Sequence, residues 1–336
     1  EQEVLGWHWH DTDGDYLDVC ALPGKLESEL YFLTRRTIDG ESVQCIEQQA
    51  PTRFDTEEDM VYLDSASTYD GRNTSDTTLT VTTADTWDES GELTITASEA
   101  IFQGDGDVGD ALSLWREERT LDEEGETVVT RHKLRLFIDS YMDSTHVKAR
   151  SIGTVPVEFR EVPWTNWDFQ RDTIGDLWHL EGATVKALAD AAVRGPFIVE
   201  NGQISLDIDP GGVVHVGRPY KCEVETLELN SNGGGPMRDQ QKLAYKVSIL
   251  LLASRGVKAG AINGKLYPIK ERRFEPYGQP PYLKTGIYDG NIPSGWGVDA
   301  GRIRIVSDDP LPMEILSITT RAVSSNGQSI PGKAST

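Results

Sequence analysis

Several things that usually announce a function are scarce in this sequence. There are three cysteines in 336 residues, Cys20, Cys45 and Cys222, odd in number and widely spaced. That pattern fits no zinc set and no disulfide framework, and it reads as buried free thiols in a reducing compartment. No apolar run reaches the roughly 20 residues that a membrane-spanning helix needs. Basic residues are few: 32 Lys and Arg stand against 55 Asp and Glu, a formal net charge of −23. The imbalance is local. Between Pro51 and Thr130 there are 21 acidic and 4 basic residues, a net of −17. Such a segment repels phosphate, which disfavours ordinary nucleic-acid binding built from Lys and Arg. Its plain reading is a solubilising acidic face. A nucleophile elbow, a P-loop, an HExxH motif and a paired-cysteine site are all missing. Carboxylates are abundant, Asp122, Glu123 and Glu124 among them. A glycosidase, however, needs two placed across a cleft, and turn text does not supply that.

What is present is strand text. Val185, Ala187 and Ala189 alternate with Lys186 and Leu188, and Ile204, Leu206 and Ile208 alternate with Ser205, Asp207 and Asp209. A period of two is the mark of a half-buried strand. Asp209-Pro210-Gly211-Gly212 is a turn, and Val213, Val214 and Val216 resume β-branched strand chemistry. The run Leu243–Ala253 is read as a buried strand stopped by Ser254-Arg255-Gly256. Near the start, LYFLTRRT and SVQCIEQQ are strands joined at Asp39-Gly40, a strong hairpin signal. From Asp76 the text is threonine-rich, in TTLTVTTADTW and GELTITASEAIF, and HKLRLFIDSY and THVKARSI continue it.

Four constellations invite chemistry. Trp7, His8, Trp9 and His10 alternate before Asp11, Asp13 and Asp15. Two histidines on one face beside aspartates suit a cation, but Leu22 occupies the twelfth position where an EF-hand needs Glu, and a capped hairpin is the preferred reading. Gly104-Asp105-Gly106-Asp107-Val108-Gly109 matches G-x-G-x-x-G in form. It lacks the strand–helix context of a dinucleotide site, and Asp105, Asp107 and Asp110 would repel a phosphate, so it reads as a tight turn. A lone calcium site is the other option there. Trp164, Trp167 and Trp178 form either a hydrophobic plug between modules or a stacking surface for sugars or bases. Lys270, Arg272 and Arg273 make a small basic spot. His132, His146 and His179 have no nucleophile or metal partner in pattern.

The expected fold is all-β, made of several antiparallel β modules. They are a partial propeller-like meander over 1–72, an acidic β-barrel or sandwich insert over 73–163, a larger β-sandwich platform over 164–321, and a flexible tail over 322–336.

The words HLEGATVKALAD, VVHVGRPYKCEVETLEL, KLAYKVSILLLASRGVKAG and DPLPMEILSI occur in that order. They resemble the C-terminal half of the tail nozzle proteins of short-tailed bacteriophages, also called tail tubular protein B. EVLGWHWH and VQCIEQ are similar to the strands that precede this region. Two departures stand out. The portion that would close a propeller around the opening meander is not seen, and Ala189-Asp190-Ala191-Ala192 replaces a glycine turn, which leaves that hairpin open. The resemblance implies a virion structural protein without catalytic activity or cofactor. It implies a homohexameric ring at the distal end of the tail, bound to the tail adaptor and to a fibre or spike. Genomic DNA would pass through the ring without sequence-specific binding, toward the host outer surface. On that reading Asp105, Asp107, Asp110, Asp122, Glu123 and Glu124 are candidates to face the channel, and Asn230, Gly233, Gly234 and Gly235 are candidates for a mobile loop. The alternative is a virion-associated glycan-binding or depolymerase module that uses the tryptophans and carboxylates.

Overall fold

A computed structural model describes residues 9–25, 27–51, 53–121, 127–227, 241–270, 280–292, 295–297, 301–325 and 329–331, with 117–121, 127–131 and 329–331 described at the backbone alone. Among these residues the fold is nearly all β, with four short 3-10 turns and no α-helix. Every strand ladder is antiparallel.

Strands β1 (Asp15–Pro23), β2 (Ser28–Ile38) and β3 (Glu41–Gln48) form a three-stranded meander. The Asp39-Gly40 turn has positive φ at both residues, 49° and 80°, as a two-residue hairpin loop requires. Among the described residues the meander has no buried apolar cluster of its own. It is anchored by Arg36, which is 1% exposed and bidentate to Glu47, with Nη2 to Oε2 at 2.6 Å. Arg36 Nη1 also donates to the carbonyl of Asp13 at 2.6 Å, and Ser65 Oγ donates to Glu47 Oε1 at 2.8 Å.

Strand β4 (Asp64–Asp70) leaves the meander region. The next module contains β5 (Leu79–Thr83), β6 (Leu93–Ala97), β7 (Ala111–Leu121), β8 (Thr127–Asp143), β9 (His146–Ser151), β10 (Pro163–Trp164) and β11 (Trp167–Gln170). They make one seven-stranded sheet in the order β10-β5-β6-β9-β8-β7-β11. Its two ends, β10 and β11, are separated by two residues in sequence, so the sheet curls until it is nearly closed. Period-two alternation explains the filling. Leu79 and Val81, Leu93 and Ile95, Leu112 and Leu114, and Leu134, Leu136 and Ile138 all point inward and are at most 5% exposed. Each buried aliphatic side chain of this size contributes about 1.5–3 kcal/mol. Thr80, Thr82, Thr94 and Thr96 of β5 and β6 occupy the alternate, outward positions.

The platform holds β12 (Thr173–Ile174), β13 (Thr184–Ala189), β14 (Ala192–Ile198), β15 (Ile204–Ser205) and β16 (Val213–Arg218). Its main sheet is β14-β13-β16-β4, and β12 pairs with β15. Val185, Ala187, Val214 and Val216 pack on one face; Leu188, on the other, packs with Met60, Ala191 and Leu311. The last module is a sandwich. One sheet holds β17 (Cys222–Glu225), β19 (Lys258–Ala261), β20 (Tyr267–Pro268) and β22 (Ile303–Ser307); the other holds β18 (Lys242–Ser254), β21 (Lys284–Asn291), β23 (Glu314–Ser324) and β24 (Ser329–Pro331). Val247, Ile249 and Leu251 of β18 face Ile303 and Ile305 of β22 in its core.

Several expectations change. The boundary expected at 163/164 falls inside the barrel sheet, because β11 completes that sheet against β7. Strand β4, expected in the opening module, pairs with β16 of the platform. Strand β13 is buried on both faces, since a layer lies on each side of it. The alternation at Ile204–Asp209 yields a strand over Ile204–Ser205 alone, and Ile208 is exposed. The thiols are free but not buried: Cys20 is exposed and the other two are half-buried. Trp9 and His10 are not in a strand; Trp7 and His8 lie outside the described residues. The 189–192 hairpin does form, with Asp190 and Ala191 both at positive φ, 48° and 63°.

Candidate functional site

The acidic turn at 104–110 is an internal tie rather than a surface. Asp105 is exposed, but Asp107 and Asp110 are 1% and 2% exposed. Asp107 Oδ2 accepts from the Gln103 amide at 2.6 Å. Asp110 accepts from the Asp172 amide at 2.9 Å and from Arg171 Nη1 at 3.1 Å; Arg171 Nη1 also reaches Asp107 at 3.4 Å. The Arg171 guanidinium lies over the Phe169 ring at 4.7 Å. Burial pushes the Asp110 carboxyl up to about 6 against these donors. Asp107 and Asp110 are therefore turned inward, onto the Gln103 and Asp172 amides and the Arg171 guanidinium, and do not lie on the surface of the chain. Asp122, Glu123 and Glu124, the loop residues Asn230, Gly233, Gly234 and Gly235, and Arg272 and Arg273 lie outside the described residues.

The tryptophans do not act together. Trp167 is buried in the barrel, its indole N–H donating to the Thr77 carbonyl at 2.9 Å. Trp164 packs on Phe159 at the rim of the same core. Trp178 is 63% exposed and lies over Gly202, where a Cβ would come within 2.6 Å of its ring. His10 bonds Asp64 at 3.0 Å instead of joining an aspartate cluster, and that partner raises its pKa. His146 pairs with Asp143 at 2.9 Å. Among the described residues no group of three or more His, Cys, Asp or Glu is arranged to hold a metal ion.

A different set of residues converges where the barrel meets the platform. Leu112 and Leu114 of β7 point into the barrel, so Ser113 and Trp115 point out. Across the ladders Trp115 stands opposite Lys133, Ser113 opposite Arg135 on one side and opposite Asp168 on the other. Directly opposite residues share a sheet face, so Trp115, Lys133 and Asp168 form one outer wall. The facing wall comes from Thr56 and Glu58 around the 3-10 turn Glu57–Asp59, from Arg72 after β4, and from Asp190 and Val213. They enclose a cavity of about 220 Å³.

Each side chain there is held. Arg72 is fixed by Asp59 and Asp70, both at 2.7 Å from Nη2. Lys133 Nζ reaches Glu58 at 3.2 Å. Asp190 caps the amides of Gly212 and Val213 at 3.1 and 2.9 Å. His215 donates from Nε2 to the Glu58 carbonyl at 2.9 Å, since a carbonyl only accepts; its Nδ1 therefore accepts from Thr68 Oγ1 at 2.7 Å. Burial lowers the His215 pKa, so the ring stays neutral and fixes the Glu58 backbone. Asp168 is the exception. It is 7% exposed and accepts from Gln170 Nε2 at 3.2 Å, the one donor to it among the described residues. Burial pushes its carboxyl up to about 6, Lys133 opposes this, and Asp190 and Glu58 add to it. A Cβ at position 212 would sit 2.8 Å from Asp168 Oδ2, so Gly212 is what permits the approach.

The sequence marks none of these residues as functional; Asp190 and Val213 read there only as turn and strand. They are spread between Thr56 and Val213, on strands, on a 3-10 turn and on a hairpin turn, and no local pattern links them. Their one legible signal is Trp115 and Lys133, an aromatic and a lysine at outward positions of β7 and β8. No family model matches the chain, and no curated protein matches it.

Proposed function

We propose that the chain is a structural subunit of a phage tail, assembled as a homohexameric ring at its distal end. In this reading it binds the tail adaptor above and a fibre or spike beside it, and genomic DNA passes through the ring toward the host surface. Two features support the reading. The words that carry the family resemblance fall on β13, on β16 and β17, on β18 and β19, and on the approach to and start of β23, the strands that build the platform and the sandwich. The observation that carries it is the meander. Its sheet presents Val19, Leu22 and Ile46 at 59%, 48% and 79% exposure, in a module with no buried apolar cluster among its described residues. A small sheet in that state gains stability from a neighbour, which suits a chain made to be assembled. Of the described candidates for a channel rim, Asp105 alone is on the surface, so the acidic lining is not assigned to the 104–110 turn.

The test is the mass of the native assembly, by light scattering or electron microscopy. A ring of six 37.2 kDa chains is expected. A trimer, or a monomer that persists at high protein concentration and physiological salt, removes the proposal.

A further inference from the structure

The junction cavity has a chemistry that selects among ligands. An anion entering it meets three carboxylates, Glu58, Asp168 and Asp190. A cation meets Arg72 and Lys133, both fixed in place. Both signs line the cavity and both cations are already paired with carboxylates, so a charged ligand has to compete with an existing ion pair. A neutral molecule with many hydroxyls meets donors and acceptors on every side, and Trp115 supplies an aromatic wall for an apolar C–H face.

The size narrows the choice. At the liquid share of about 30 Å³ each, 220 Å³ holds about seven waters. That is below the roughly 300 Å³ of a pocket for a drug-sized ligand, so one ring fits and an oligosaccharide does not. The cavity also has an orientation. Glu58, Arg72 and Lys133 are 21%, 35% and 31% exposed and form its mouth; Asp168 is nearly buried and forms its floor. A carboxylate offers about four acceptor positions, and Asp168 is met by Gln170 alone among the described residues. An underused carboxylate at the bottom of a walled cavity is what a hydroxyl-rich ligand satisfies.

We propose that this cavity binds a single neutral pyranose unit, a hexose or N-acetylhexosamine of a glycan, with Trp115 against the ring and Asp168 accepting from its hydroxyls. The inference does not depend on the ring assembly; a monomer would carry the same site.

Saturation-transfer NMR and calorimetry on the full chain test it, with glucose, galactose, mannose and N-acetylglucosamine as probes and glucuronate and glucosamine as charged controls. Neutral sugars are expected to bind with Kd near ~1 mM, the strength that a ligand of about twelve heavy atoms reaches at ordinary ligand efficiency. Trp115→Ala and Asp168→Asn are each expected to weaken binding at least ~10-fold, and the charged controls to bind more weakly by a similar factor. Asp168→Asn keeps the shape of the side chain and removes a buried charge, so it decides the matter if Trp115→Ala does not fold. Absence of transfer from every neutral sugar overturns the proposal. So does binding that Asp168→Asn leaves intact, which would place the sugar elsewhere. Equal binding of the charged sugars also overturns it, because the charge argument would then be wrong.

Discussion

Asp168 is held in a protonation balance unlike that of a free carboxyl, and the consequence has a sign. The unfolded carboxyl titrates near ~3.9; the folded one is pushed up to about 6 by burial. Between those values the native state binds the extra proton, so stability falls as pH rises through that window. Asp110, also pushed up to about 6, acts in the same direction. His215 opposes both. Its folded pKa is lowered, so the unfolded chain takes up the proton first and stability falls as pH drops below the ordinary histidine value. The slope of the intact protein is thus a difference of opposing effects. A comparison with Asp168→Asn isolates one of them. Two units at ~1.36 kcal/mol each set an upper bound of about 2.7 kcal/mol. The variant is expected to be more stable than the parent by up to that amount at pH 7 and equal to it near pH 4. Urea unfolding at the two pH values measures this, and a variant less stable at pH 7 shows that Asp168 is better compensated than its surroundings indicate. Asp190 is the converse case. Its carboxylate caps two amides and its backbone tolerates positive φ. Asp190→Ala is expected to cost about 1–3 kcal/mol by leaving buried donors unpaired, read as a lower urea midpoint with unchanged slope.

At the scale of elements, the β13–β14 hairpin shows how one turn ties three modules together. Ala191 adopts a left-handed φ that costs an L-residue about 1–2 kcal/mol. It is kept there by burial at 3% and by its carbonyl, which accepts from Arg255 Nη2. Arg255 follows β18, is 3% exposed, and donates from Nη1 to the Pro281 carbonyl at 2.6 Å, with Glu57 at 3.8 Å. One guanidinium therefore joins the sandwich, the platform turn and the 3-10 segment that lines the cavity. Arg255→Met keeps the stem and removes the fork; it is expected to destabilise by about 3 kcal/mol, since the buried Ala191 carbonyl and the half-buried Pro281 carbonyl lose a charged donor. A thermal midpoint within a degree of the parent's contradicts the staple. This tie also marks how far sequence reading reaches. The barrel strands were legible because Leu112 and Leu114, or Leu134, Leu136 and Ile138, alternate with polar residues, and that period is local. The β2–β3 hairpin was legible from Asp39-Gly40. The pairing of β4 with β16 was not, because register between distant strands leaves no local mark. Nor was the burial of Asp107 and Asp110, which depends on Arg171 far along the chain. The cavity residues stayed hidden for the same reason: an outward Trp115 reads as solvent-facing until the platform is laid over it.

The proposed assembly belongs to the scale of the whole molecule, where charge and apolar surface pull in opposite directions. A chain of net charge −23 repels its own copies. At ~0.15 M salt that repulsion is screened beyond about 8 Å, and at 0.01 M it reaches about 30 Å. A ring built from such chains is therefore expected to loosen as salt is removed, seen as a falling mass in light scattering. What holds it must be short-ranged, and the outward face of the meander is the place to look. Leu22, Leu33 and Ile46 share that face by register, and Ile46 is 79% exposed. A side chain that exposed contributes little to the fold, so Ile46→Asp is expected to change monomer stability by no more than ~0.5 kcal/mol. In a packed contact the same change buries an unpaired carboxylate, a cost of several kcal/mol. The expected result is a variant with the parent's thermal midpoint as a monomer and a markedly reduced native mass at equal concentration. An unchanged mass assigns the ring contact to another surface. A lowered monomer midpoint shows instead that Ile46 supports the meander within its own chain.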